Sequence, residues 1–183
     1  MASNQSGQLG EYAVASELSR RNLIATTFTR NMPGFDILVL NKDSKKTCRV
    51  SVKSIMLGAW SLNSKDYLIF DEDAFAKGVQ KIVGKVQTNG VGFDFQVFVK
   101  IGKTRSEDKF FILSFKQVQE IINRKYKKFL DSKNGVRPKN PQTTHTTVKE
   151  EDIKDFEDSW DEITRSTFKE LSKKEFLKEI EKW

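Results

Sequence analysis

Cysteine is nearly absent. Cys48 is the only one in 183 residues, so no intramolecular disulfide can form and zinc sites built on four thiolates are excluded. Histidine is equally scarce. His145 stands alone in a threonine-rich stretch, with no serine or cysteine partner pattern for a catalytic triad and no second histidine for a zinc site. No long apolar run occurs, and the first ten residues, MASNQSGQLG, lack the apolar centre of a secretory signal. These absences favour a reducing, cytoplasmic setting and no membrane span. Internal repeats, low-complexity tracts, zinc-finger spacing, a helix-turn-helix signature and an RNA-binding aromatic motif are missing too.

What the chain does contain is charge and phenylalanine. It is 37% hydrophobic and 31% charged, with 14 Phe, enough apolar material for a core. Its formal charge of +7 is uneven. Residues 116–139 hold eight Lys/Arg against two acids, whereas residues 149–162 hold two Lys against eight acids. A basic field favours polyanions without naming one. Its bland counterpart is a solvated face with the acidic segment 149–162 lying nearby.

Periodicity predicts a helix over residues 7–22, with Glu11, Val14, Ala15 and Leu18 on one stripe. Strand alternation follows in GFDILVL (34–40) and in TCRVSVKSI (47–55), antiparallel by the short connection NKDSKK. A further strand is expected at YLIF (67–70) and a short helix over 72–86. DFQVFVKIG and KFFILS read as a hairpin, and FKQVQEIINRKYKKFL as an amphipathic helix. Residues 132–147 read as a long polar loop. Thr147 with Glu150 offers a capping box for an acidic helix over 149–162, and a last helix is expected over 168–182. The expected architecture is α/β (α+β): a mixed central sheet with helical flanks. Its units are a core of residues 1–131, the loop 132–147 and a helical C-terminal extension over 148–183 packed on the core.

Hydrolysis of a phosphodiester with magnesium needs carboxylates to hold the hard cation and a positive charge near the attacking water or the developing charge. Asp36 on one strand, with Ser51 and Lys53 on the next, meet part of that need, and Glu11 approaches from the flanking helix. The stretch GQLGEYAVASELSRR, then GFDILVL, then RVSVKS resembles the core of the PD-(D/E)XK nuclease superfamily, whose fold is restriction-endonuclease-like. NGVRPKNPQTTHTT and FEDSWDEI are also similar to the tail of small prokaryotic members. The resemblance covers about residues 7–55 and, more weakly, 110–163.

It implies a Mg²⁺- (or Mn²⁺-) dependent DNA endonuclease in a restriction or defence context, acting as a homodimer. Asp36 would bind metal, Lys53 would support the attacking water and Glu11 would assist. Ser51 departs from the pattern, which has Glu or Gln there. Either another acid supplies the missing carboxylate, or Asp36, Ser51 and the Val52 carbonyl hold one metal weakly, or the domain binds nucleic acid without cutting it.

Each residue also has a plainer reading. Asp36 would cap backbone N–H groups at a turn, Glu11 would complement the helix dipole, and Lys53 and Ser51 would be ordinary strand residues. His145 would be exposed and idle, and Trp60 and Trp160 would belong to the core. Contacts to a phosphate backbone are expected from Arg124, Lys125 and Lys128 on the basic helix and from Lys133, Arg137 and Lys139 in the loop. A protein-interaction module, with the terminal helix turned toward a partner, is the remaining alternative.

Overall fold

A computed structural model describes residues 3–28, 34–43, 45–88 and 92–167. The expected helix over 168–182 lies outside the described residues. The first helix, α1 (Ser3–Arg20), begins earlier than its apolar stripe suggested. It ends where Asn22 takes a left-handed conformation (φ 59°) and the Leu23 N–H returns to the Leu18 carbonyl at 3.2 Å.

Five strands form the central sheet: β1 (Ile24–Thr27), β2 (Ile37–Leu40), β3 (Thr47–Ile55), β7 (Phe95–Lys100) and β8 (Lys109–Ser114), side by side in that order. Neighbours are antiparallel except β3 and β7, which run parallel, so the sheet is mixed. The predicted β2–β3 connection and the β7–β8 hairpin are both present.

Alternation along the strands sorts two cores. Val14 and Leu18 of α1 cover Ile37, Val39, Val50, Val52, Val97 and Val99 on one face. Trp160 and Ile163 from the C-terminal region complete that layer. The other face packs Phe98, Phe111 and Leu113 against α3 (Phe115–Asp131), through Val118, Ile122, Tyr126 and Leu130. A Ser114–Gln117 capping box starts α3. Trp60 and Trp160 are both core residues, as expected.

Several local expectations need correction. YLIF does form a strand, β5 (Leu68–Phe70), but it pairs with β6 (Ile82–Lys85) in a separate ribbon. The helix predicted over 72–86 is only α2 (Glu72–Ala76). Gly78 adopts φ 78° just after it, which ends the helix and turns the chain into β6. The loop 132–147 is not wholly irregular: β9 (His145–Val148) pairs antiparallel with β4 (Trp60–Asn63). Thr147 is therefore a strand residue and caps nothing. Asp152 instead accepts the Lys149 N–H at 2.8 Å. The acidic segment is broken into α4 (Glu150–Ile153), a 3₁₀ turn (Lys154–Phe156) and α5 (Asp161–Thr167), with Asp158 at φ 51° between the last two.

Among the described residues, no helix is long and apolar enough to cross a membrane.

Candidate active site

Asp36 immediately precedes β2, where β3 runs on beyond its neighbour. Its N–H donates to the Val50 carbonyl at 2.9 Å, and its Oδ2 accepts the Val52 N–H at 2.6 Å. Without the carboxylate, Val52 would lose its lateral partner, so the plainer reading of Asp36 holds for one oxygen. Oδ1 is not used in that bond. The N–H and C=O of one strand residue point to the same side, so the Val52 carbonyl lies on the Asp36 side as well.

Cys48, Val50 and Val52 face α1. Ser51 and Lys53 therefore face the opposite side, and there they line a surface cleft of about 620 Å³ together with Asp36. Ser51 is buried (6% exposed), whereas Lys53 is exposed. The three side chains grouped by strand spacing thus share one cleft.

Glu11 stands on α1, which covers the opposite face of the sheet, and it does not line the cleft; the charge of Asp36 nevertheless acts on it. Partial burial raises its carboxyl above the usual range, and the negative charge of Asp36 raises it further. Among the described residues, no ion pair involves either carboxylate. Two repelling carboxylates of this kind would be relieved by a cation.

Gly10 lets α1 approach β3 closely. A Cβ on Gly10 would lie 2.5 Å from the Ser54 Cβ, and Ser54 Oγ donates to the Ser6 carbonyl of the same helix at 2.7 Å. At the cleft mouth, Gly34 (φ 97°) meets Gly92 so closely that a Cβ on Gly92 would be 2.6 Å from the Gly34 Cα.

The cleft also holds polar residues that the sequence did not place there, among them Asp66, Gln96 and Asn63, and His145, which was expected to be idle. Asp66 follows β4, and Gln96 lies on β7 beside Ser51. His145 and Asn63 pair across β9 and β4. Desolvation raises the Asp66 carboxyl above its ordinary value, while the positive charge of Lys53 pulls it the other way. His145 is exposed, as read, but it lies on the cleft rim. The signal for Gln96 was visible: a lone amide in the apolar strand FQVFVK. Asp66 and His145 gave no such signal.

The expected nucleic-acid contacts divide. Lys125 is ion-paired with Asp152. Arg137 donates to the His145 carbonyl at 2.6 Å and lies over the Tyr126 and Phe129 rings, so it holds β9 in place. Arg124, Lys128, Lys133 and Lys139 form no ion pair among the described residues. None of the six lines the cleft.

The groups that strand geometry brings beside Asp36, the Ser51 hydroxyl and the Val52 carbonyl, offer oxygen as Asp36 does. That chemistry suits Mg²⁺ or Mn²⁺. Among the described residues, no group of three or more His, Cys, Asp or Glu is placed to hold a metal.

No protein-family model matches the chain, and neither does any curated protein. Among solved structures, a bacterial homing endonuclease matches with a TM-score of 0.51 and 10% identity, over 91% of this chain and 95% of that one. At that identity the likeness is one of fold. The chain thus shares with that endonuclease a mixed α+β fold, a central mixed sheet flanked by helices.

Proposed function

We propose that the protein is a divalent-metal-dependent DNA endonuclease of the PD-(D/E)XK kind. One observation carries the reading: Asp36, Ser51 and Lys53 line a single cleft. The likeness to an endonuclease fold supports it.

Asp36 and Glu11 would hold the metal, with Ser51 and the Val52 carbonyl available to complete its shell. A bound divalent cation would add positive charge beside the phosphate. The remaining work belongs to the chain. Val52 N–H fixes Asp36, so the carboxylate needs no reorganisation when substrate arrives. Lys53, on the same face as Ser51, offers an ammonium to the attacking water or to the negative charge developing on the phosphoryl oxygens. Asp66 balances the Lys53 charge within the cleft. Two such clefts in a homodimer would cut both strands of a duplex in one encounter.

The second reading is a protein that binds nucleic acid without cutting it. Ser51 favours it, because a neutral hydroxyl supplies no charge to a cation. Both are tested by incubating supercoiled plasmid and single-stranded DNA with Mg²⁺ or Mn²⁺, using wild type, Lys53→Ala and Asp36→Ala. Cutting by wild type alone supports the nuclease. Salt-dependent binding with no cutting under any metal supports the second reading.

A further inference from the structure

Gln96 stands beside Ser51 in the parallel β3–β7 register. Asp36 lies one position beyond the Ile37–Val50 pair on the other side of Ser51. The three make a polar row across three adjacent strands, spaced by about 4.8 Å per strand.

Gln96 is only 1% exposed and still lines the cleft. A buried amide has one acceptor and two donor hydrogens to satisfy. Its Oε1 accepts the Tyr67 hydroxyl at 2.8 Å. Tyr67 is itself buried, stacks on Phe115 at 5.4 Å, and is held through its carbonyl by Gln119 Nε2 at 2.8 Å. Burial raises the Tyr67 hydroxyl, so it keeps its proton and needs an acceptor. That need assigns the amide: Oε1 turns to the tyrosine, and the NH₂ group is left as the end that meets the cleft.

A Glu or Gln at position 51 would stand between Gln96 and Asp36. Serine is short enough to leave that space open. We propose that Gln96 donates a hydrogen bond from its amide nitrogen to an anionic phosphate oxygen of nucleic acid held in the cleft, and that Ser51 is small to let this donor reach it. The inference rests on the endonuclease reading for its substrate class. Gln96 then acts on the phosphate and is not a metal ligand.

The test uses the full chain carrying Gln96→Met, Gln96→Glu or Tyr67→Phe, each melted first to confirm folding. Two readouts follow: cleavage across a Mg²⁺ titration, and binding of a short fluorescent duplex in EDTA. Gln96→Met is expected to slow cleavage by about 100-fold, the effect of losing one preorganised donor, with half-saturating Mg²⁺ unchanged. Gln96→Glu is expected to weaken duplex binding in EDTA more than Gln96→Met does, because it sets a carboxylate against phosphate. Tyr67→Phe is expected to shift both readouts the same way by a smaller factor, and it decides alone if the Gln96 variants do not fold.

Wild-type behaviour of Gln96→Met in both assays overturns the proposal. So does a Gln96→Glu enzyme that cuts as fast as wild type at lower Mg²⁺, which would make position 96 a metal ligand. If wild type binds but never cuts, the endonuclease reading fails, and the EDTA series still decides the donor. If wild type neither cuts nor binds, both fall.

Discussion

Asp36→Asn separates the two roles of Asp36, because asparagine keeps the shape and an acceptor oxygen while removing the charge. The bond from Val52 N–H at 2.6 Å is charge-assisted. Such bonds contribute about 1.5–3 kcal/mol, and neutral ones about 0.5–1.5, so asparagine forfeits about 1 kcal/mol. Removing the charge also relieves Glu11, whose carboxyl Asp36 pushes up. The net cost should stay below about 1 kcal/mol, or about 4 °C in melting temperature for a chain of this length. Alanine instead strands the Val52 N–H and should cost about 1–3 kcal/mol. Cleavage should respond in the opposite proportion. Losing one of two carboxylates should cost more than the about 10–100-fold typical of removing outer partners of a metal site. Plasmid nicking across a Mg²⁺ titration, beside thermal melting, reads both effects. An asparagine variant that cuts within about 3-fold of wild type would refute the metal role. A melting loss well beyond about 4 °C would make Asp36 mainly structural.

Lys53→Met should abolish cleavage while duplex binding in EDTA stays close to wild type, and the Asp66 carboxyl, freed of the Lys53 charge, should titrate higher by NMR. Glu11→Gln should melt slightly above wild type at neutral pH. The folded Glu11 carboxyl is raised above 4.5, so its ionisation costs stability as pH rises from there, and the glutamine advantage should vanish near about pH 4. Gly10→Ala should lose about 1–3 kcal/mol in denaturant melts, because the 2.5 Å approach to Ser54 outweighs the about 1 kcal/mol helix preference of alanine. A stabilised variant would show that α1 can shift away. Charge reversal at Arg124 and Lys128 should weaken duplex binding regardless of sequence and reduce the salt slope by about 1 for each phosphate left without its cation, whereas reversal at Lys125 should lower the melting temperature by breaking its pair with Asp152.

Long, periodic elements were legible. The α1 stripe, the alternation in β2 and β3, the Phe-rich hairpin and the amphipathic α3 all follow from spacing, because each buries one continuous face. β4, β6 and β9 were not. They are four-residue strands in two-stranded ribbons, whose pairing is decided by distant partners such as Trp60 with Val148, and β1, equally short at the edge of the main sheet, was not expected either. Gly78 and Asp158 show a related limit: a single left-handed residue ended or broke a predicted helix. The site divides on the same line. Asp36, Ser51 and Lys53 could be grouped because β2 and β3 are consecutive. Gln96 and His145 arrive through a parallel pairing and a late ribbon; the lone amide in FQVFVK marks Gln96 as unusual, but nothing local in the sequence says which strand either residue meets.

The two charge blocks are equal and opposite in the sequence, and the fold shows how far they cancel. Glu150 accepts Lys100 at 2.5 Å and Lys109 at 2.7 Å, both from the β7–β8 hairpin. Asp152 takes Lys125 of α3. The acidic segment is thus a strap between hairpin and helix, and most of its neutralising contacts are with residues outside the block 116–139. Arg124, Lys127 and Lys128 keep their charge on the exposed side of α3, and Lys133 and Lys139 lie in the connection that follows. That connection runs on into β9, which Arg137 pins by its backbone and which carries His145 to the cleft rim. Basic helix, loop and cleft are therefore consecutive along the chain. None of these cations lines the cleft, so in the proposed nuclease they would act on a polyanion through a long-range field and not through contacts inside the site.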